Sequence, residues 1–202
     1  MSPKFPIIQF DSIVTLTDYT SEPLVKMGLN AAICYDGKTD EESNKKRSKS
    51  CKDKSHLMVA RFAYATFNIK QISRVCTHQL VRIAHAGILQ ESQRYVKHSR
   101  VEFVNPGQLY NMSEAFIKRW NDHLLAGELI YEDGIGLGMK KEDARYILSQ
   151  ACTSQVNLCL NFHGWSDFLH NRLSKAAQSE IRAVAVKIKD QLNSISNNYF
   201  GE

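Results

Sequence analysis

The sequence predicts a mixed α/β domain of the α+β kind, and three observations carry that expectation. The chain opens on two short β-prone apolar runs within IIQFDSIVTLTDY, broken at Asp11. Further on, HLMVARFAYATFNIK (His56 to Lys70) is dense in β-branched and aromatic residues. Ala63, Ala65, Phe67 and Ile69 alternate to one side and Phe62, Tyr64 and Thr66 to the other, as in a central strand covered on both faces. From Ser174 onward Ala177, Ile181, Val184, Ile188, Leu192 and Ile195 recur at a helical period to the C-terminus, which reads as one long packing helix.

The elements between follow in order. SEPLVKMGLNAAICY reads as a short helix with Ser21 as its cap and Pro23 in the first turn. Asp36 to Lys54 is nearly devoid of large apolar residues and carries Lys45, Lys46, Arg47, Lys49, Lys52 and Lys54. It is either a solvated helix or loop, or a positive rim to an anion site. From Gln71 the period changes, since Ile72, Val75, Cys76 and Leu80 recur at helical spacing. The chain turns at Pro106 and Gly107, and Ser113 caps a helix with Phe116, Ile117, Trp120 and Leu124 on one stripe. YEDGIGLG reads as a loop, KKEDARYILSQA as a short helix turning Ala144, Ile147 and Leu148 inward, and CTSQVNLCL as a β-prone run.

Composition narrows the class. At 202 residues, 43% apolar and 23% charged, the chain fits one well-buried soluble domain over residues 1 to 202. It has no apolar run near the roughly 20 residues that span a bilayer, and MSPKFPIIQFDS lacks the regions of a signal peptide, so a cytoplasmic protein without membrane contact is expected. Five cysteines at 34, 51, 76, 152 and 159 form no CxxC pair, and no histidine stands at zinc-ligand spacing, so we expect reduced thiols and no metal site. A net charge of +5 favours anionic partners. Nucleic acid is a weak candidate among them, because the basic run has no interleaved aromatics.

The most informative stretch is His78 to Tyr95, HQLVRIAHAGILQESQRY. Gln79 and Arg82 are three apart and would share a helix face, and Glu91, Ser92, Gln93 and Arg94 crowd together after an apolar step. Guanidinium forks, a hydroxyl and carboxamides suit a phosphate joined to a hydrogen-bonding heterocycle, that is, a mononucleotide. An ion-pair-laced helix followed by a loop is the other reading. Near the C-terminus Trp165, Phe168, Leu169 and Arg172 lie at i, i+3, i+4 and i+7, which sets a guanidinium on an otherwise buried stripe. A buried charge is costly alone, so Arg172 must meet an acid such as Asp167 or Glu180, or serve a ligand.

These segments resemble the flavin-dependent thymidylate synthase family. SHLMVARFAYATFNIKQISRVCTHQLVR is similar to its His-containing turn, strand and helix, ESQRYV to its nucleotide motif, DARYIL and NFHGWSDFLHNRLSKAAQSEIR to its C-terminal segments, and AAICY at 31 to 35 to an early one. The resemblance implies a central, twisted, mostly antiparallel sheet flanked by helices, in a homotetramer with shared active sites. It implies dUMP, methylenetetrahydrofolate, FAD and, transiently, NADPH as ligands, and transfer of a one-carbon unit to C5 of the uracil without a cysteine nucleophile. Position by position it assigns Gln79, Arg82, Gln90, Ser92, Gln93, Arg94 and Arg145 to the nucleotide, and Arg172 to the pyrimidine edge as the catalytic cation.

The flavin side departs from the pattern. The family's Arg-His-Arg reads Arg82, Ile83 and Ala84, the turn glutamate is Arg61, the motif's asparagine or serine is Leu89, the family's Asn-Ala-Arg reads Asn161, Phe162 and His163, and a loop glutamate is Gln90. Three readings follow. FAD binds through other contacts, with His56, Asn161, His163 and Asp167 holding it; or the protein is a flavin-independent dUMP or dCMP hydroxymethylase; or it is a noncatalytic nucleotide- or nucleic-acid-binding homologue.

Overall fold

A computed structural model describes residues 7–9, 11–96 and 102–201. Six strands and seven α-helices are assigned among them. The strands are β1 (Ile7–Gln9), β2 (Ile13–Tyr19), β3 (Tyr64–Ser73), β4 (Gly87–Gln90), β5 (Phe103–Asn105) and β6 (Thr153–Asn161). The helices are α1 (Pro23–Ala32), α2 (Glu41–Asp53), α3 (Arg74–Leu80), α4 (Glu114–Gly136), α5 (Lys141–Ala144), α6 (Phe162–Arg172) and α7 (Ser179–Ile195). Four strands form a sheet in the order β2-β3-β6-β4, and β1 pairs with β5 in parallel, Ile7 opposite Phe103. The larger sheet is antiparallel. The bonds Thr20 N–H to Tyr64 O (3.0 Å), Phe162 N–H to Ala63 O (2.8 Å), Arg74 N–H to Cys152 O (3.0 Å) and Glu91 N–H to Gln155 O (3.0 Å) run between oppositely directed strands. The α/β class read from the sequence is the one observed.

The chain divides into two compact units, one drawn from Met1–Ile13, Ile69–Arg82 and Leu89–Val156, the other from Val14–Asn68, Ile83–Ile88 and Asn157–Glu202. In the second unit the alternation of β3 holds on one side only. Ala65 and Phe67 are fully buried, whereas Tyr64 is 40% exposed, so one face is covered and not both. The expected strand also starts late, because Leu57–Phe62 forms a 3-10 turn. Trp165 on α6 closes the buried face: its indole donates to Ala65 O (3.0 Å) and its ring meets Phe67 edge-on at 5.1 Å. Ile181, Val184, Ile188 and Leu192 of α7 are fully buried at their helical spacing, each burial stabilising by about 1.5–3 kcal/mol. The helix spans Ser179–Ile195, shorter at both ends than its periodicity suggested. Gln191 on its flank accepts from Leu16 N–H (2.8 Å) and donates to Val14 O (2.9 Å), both on β2.

The basic run is α2, a helix packed on α1. Asp40 caps it by accepting from Ser43 N–H (2.9 Å), a bond that holds the Asp40 carboxyl below the usual carboxylate range. Asn44, Ser48 and Cys51 are buried, and a Cβ on Gly28 of α1 would fall 1.9 Å from Asn44 O, so the two backbones touch where only glycine fits. The positive side chains are mostly engaged: Lys45 and Lys46 pair with Glu41 and Glu42, Arg47 donates to the carbonyls of Gly28 and Lys38, and Lys52 to that of Tyr199. The run is thus a helix, with four of its six cations engaged within the protein. Ser21 does not cap α1; Glu22 stands at that position with φ 48° and no side-chain cap.

In the first unit Phe103, Leu124 and Cys152 make a small buried cluster with Trp120, Leu148 and Ala151 against it. Ser113 caps α4 as expected, accepting from Phe116 N–H (3.3 Å). The stretch read as the loop YEDGIGLG continues that helix as far as Gly136. Leu124, Glu128 and Tyr131 lie on one buried stripe, and its packing outweighs the low helix propensity of the two glycines. α5 is a single turn followed by a 3-10 turn over Arg145–Ile147, and Ile147 is 44% exposed where an inward position was expected. β3 ends through Gln71 in the left-handed region (φ 55°), and Ser73 then caps α3 by accepting from Cys76 N–H (3.1 Å). α3 therefore begins three residues later than the change of period indicated.

Candidate nucleotide and flavin residues

In the first unit most of the expected nucleotide residues stand on α3, on β4 with the turn after it, and on the segment from α5. Gln79 lies on α3, half-buried, its amide 3.4 Å from Val75 O. α3 stops at Leu80, so Arg82 does not share a helix face with Gln79; it lies exposed in the following turn, with no ion pair among the described residues. Gln90 ends β4 and its amide reaches Thr77 Oγ1 on α3 (3.1 Å) and Ser154 Oγ on β6 (3.3 Å), tying three elements together. Beyond it Ser92 Oγ accepts from Arg94 N–H (3.2 Å) and Gln93 is buried.

Arg94 and Arg145 meet on one residue, Glu142. Arg94 donates to Glu142 Oε2 through Nε (3.0 Å) and Nη2 (2.8 Å), and Arg145 Nε donates to the Glu142 carbonyl (3.2 Å). The carboxylate raises the Arg94 pKa by accepting its hydrogen bonds. Glu91 is bound by Gln155 Nε2 (2.9 Å). The sequence reading did not single out Glu142, Thr77, Ser154, Gln155 or Arg74. Two signals were in the sequence: Glu142 stands three residues before Arg145 on one helical turn, and Arg74 follows a capping serine, at the helix end where a cation is electrostatically disfavoured.

The expected flavin residues, and Arg172, belong to the second unit. Arg172 is the last residue of α6 and half-buried, below Trp165, Phe168 and Leu169, so its stripe is buried and its own head is only partly so. Asn161 caps α6, its Oδ1 accepting from Gly164 N–H (2.8 Å). His163 Nε2 stands 3.8 Å from Asp167 Oδ2, while its Nδ1 is buried with no hydrogen-bond partner. His56 and Arg61 are exposed, and neither side chain has a hydrogen bond or ion pair among the described residues. The five cysteines are unpaired thiols, and no metal-binding cluster of His, Cys, Asp or Glu occurs among the described residues. No described helix is long and apolar enough to cross a membrane.

Against this geometry, the sequence model of the thymidylate synthase complementing protein family matches residues 15–196. The chain belongs to this family. Among its curated relatives is the flavin-dependent thymidylate synthase of Pyrococcus furiosus, 35% identical over 89% of this chain and 78% of the relative. The flavin-dependent thymidylate synthase of Pyrococcus abyssi is 34% identical over the same shares, and that of Clostridium tetani 29% identical over 93% of this chain and 84% of the relative. For a member of the family, the residues of the second unit fit a flavin through donors different from the motif's. The unpartnered Nδ1 of His163 and the uncommitted Arg61 and His56 can meet its polar atoms. Ile83 and Ala84 offer apolar contact only, and Asn161 has only its amide nitrogen left to donate.

Proposed function

We propose that the protein transfers a one-carbon unit from methylenetetrahydrofolate to C5 of dUMP, giving dTMP. Arg94, Arg145 and Ser92 bind the phosphate, with Gln93 supporting their turn, and Gln79, Arg82 and Gln90 meet the sugar and base. Arg172 lies against the N3 to O4 edge, where a cation stabilises the anionic ring and raises electron density at C5 for attack on the methylene carbon. C5 then loses its proton to water. Bound FAD supplies the reducing equivalents that turn the methylene into a methyl group, and His56, Arg61, Asn161, His163 and Asp167 are the residues that would hold it. NADPH is the reductant in this proposal. The 202 residues act as one domain in a cytoplasmic homotetramer.

The observation that supports this reading most is the meeting of Arg94 and Arg145 on Glu142, beside Ser92, in a chain of this family. The test is product analysis by mass spectrometry. dUMP and dCMP are each incubated with methylenetetrahydrofolate, with and without FAD and NADPH, and tritium release from C5 is followed. We expect dTMP from dUMP only when flavin and a reductant are present. A hydroxymethylated nucleotide formed without flavin, or tight dUMP binding with no tritium release under any cofactor set, would overturn it.

A further inference from the structure

We infer that Tyr199 and Phe200 are positioning residues for the flavin, acting through Phe162 on His163. This rests on the flavin reading of the second unit and deepens it by residues that neither the motif nor the resemblance assigns.

Phe162 stands between the two polar residues of the altered motif, at the position where the resemblance places an alanine. It is fully buried and opens α6, after the cap Asn161 and before His163, whose Nδ1 is buried without a partner. Its N–H donates to Ala63 O (2.8 Å), which fixes the main chain at the start of the helix. The turn after α7 fixes its side chain. The Phe162 ring meets that of Tyr199 at 5.8 Å and that of Phe200 at 5.0 Å, and those two meet edge-on at 5.2 Å. An alanine has no ring with which to make these contacts.

The turn is itself held. Asn193 on α7 accepts from Phe200 N–H through Oδ1 (3.0 Å) and donates to Gly201 O through Nδ2 (2.7 Å). Asn197 and Asn198 take the left-handed conformation (φ 48° and 56°), which asparagine adopts more readily than most residues. Lys52 of α2 donates to Tyr199 O and sets its ammonium 4.9 Å from the centre of the Tyr199 ring, so one cation of the basic run serves this clasp. A ring locked at position 162 limits how far the first turn of α6 can shift, and with it the direction of the neighbouring imidazole. A histidine held in one direction gives up less freedom when its ligand arrives.

The experiment measures FAD binding by fluorescence, the visible circular dichroism of the bound flavin, and melting. The proteins are the wild type, Phe200→Leu, Phe200→Tyr, Asn193→Ala, His163→Ala and the double variant of Phe200→Leu with His163→Ala. Phe200→Leu should weaken FAD binding by roughly two- to tenfold, the worth of one aromatic pair. It should also change the dichroism of the flavin, while the KM for dUMP at saturating FAD stays as in wild type. Phe200→Tyr should restore both. Asn193→Ala frees the turn and leaves every ring in place; it should act in the same direction, and it carries the test should Phe200→Leu not fold. In the His163→Ala background Phe200→Leu should cost little further affinity, because the residue through which it acts is gone. Unchanged FAD affinity and dichroism with a lower melting temperature, or an equal loss of FAD and dUMP binding, would mark a merely structural clasp and overturn this inference alone. So would fully additive losses in the double variant. A wild type that takes up no FAD would bring down the flavin reading, and this inference with it.

Discussion

The two units treat their polar side chains differently. In the first, the groups aligned with the nucleotide motif are held by one another: Arg94 and Arg145 by Glu142, Gln90 by Thr77 and Ser154, Glu91 by Gln155. In the second, the groups aligned with the flavin motif either serve the scaffold, as Asn161 does in capping α6, or have no such network, as with His56, Arg61 and the Nδ1 of His163. A site whose members fix each other is set before its ligand arrives and loses little conformational freedom on binding. A site of separate groups is ordered by the ligand itself. Most of the departures from the motif fall on the side without such a network, although Gln90, itself a changed position, is part of it.

Three substitutions break or sharpen that contrast. The largest effect is expected from Arg172→Ala, which should lower kcat by roughly 10²–10³-fold, as for loss of a donor to developing negative charge, with melting unchanged. Unaltered turnover, or a collapse in stability instead, would make Arg172 part of the scaffold. Next comes a pair in the second unit. Asn161→Ala should cost about 1 kcal/mol in denaturant unfolding through loss of the α6 cap, whereas His163→Ala should hold its stability yet retain less flavin by absorbance after gel filtration. Equal behaviour of the two would erase the division between scaffold and ligand residues. Smallest is Glu142→Gln. It frees an exposed Arg94 from a pair of little net strength, so dUMP affinity should rise by roughly two- to fivefold at low salt. Weaker binding would mean that Glu142 orients Arg94 and does not compete with the phosphate.

How much of this was legible follows from which forces act locally. β3 and the stripe of α7 came from the side-chain period, because burial writes itself into spacing, and β2 and β6 from their β-prone composition. The helix through Tyr131–Gly136 did not, since two glycines signal a turn to any local reading while the packing of Leu124 and Tyr131 decides otherwise. Ser113 was recognisable as a cap and Ser21 was misread as one, because a cap depends on where the first turn starts. In the site, Ser92, Arg94 and Arg145 could be named from their motifs. The pairing of Arg94 with Glu142, 48 residues on, depends on tertiary packing that no short stretch encodes. The basic run showed the limit of counting charges: Lys45, Lys46, Arg47 and Lys52 are engaged by Glu41, Glu42 and backbone carbonyls.

Gln191 has a consequence for association. β2 is an outer strand of its sheet, and such strands carry unmet amide and carbonyl groups that recruit foreign backbones. One carboxamide from α7 occupies Leu16 N–H and Val14 O together, as a short piece of neighbouring main chain would. Another polypeptide cannot lengthen the sheet at that point without first prising the helix side chain away. Copies of the protein that come together there must meet by their surfaces and not by joining strand to strand.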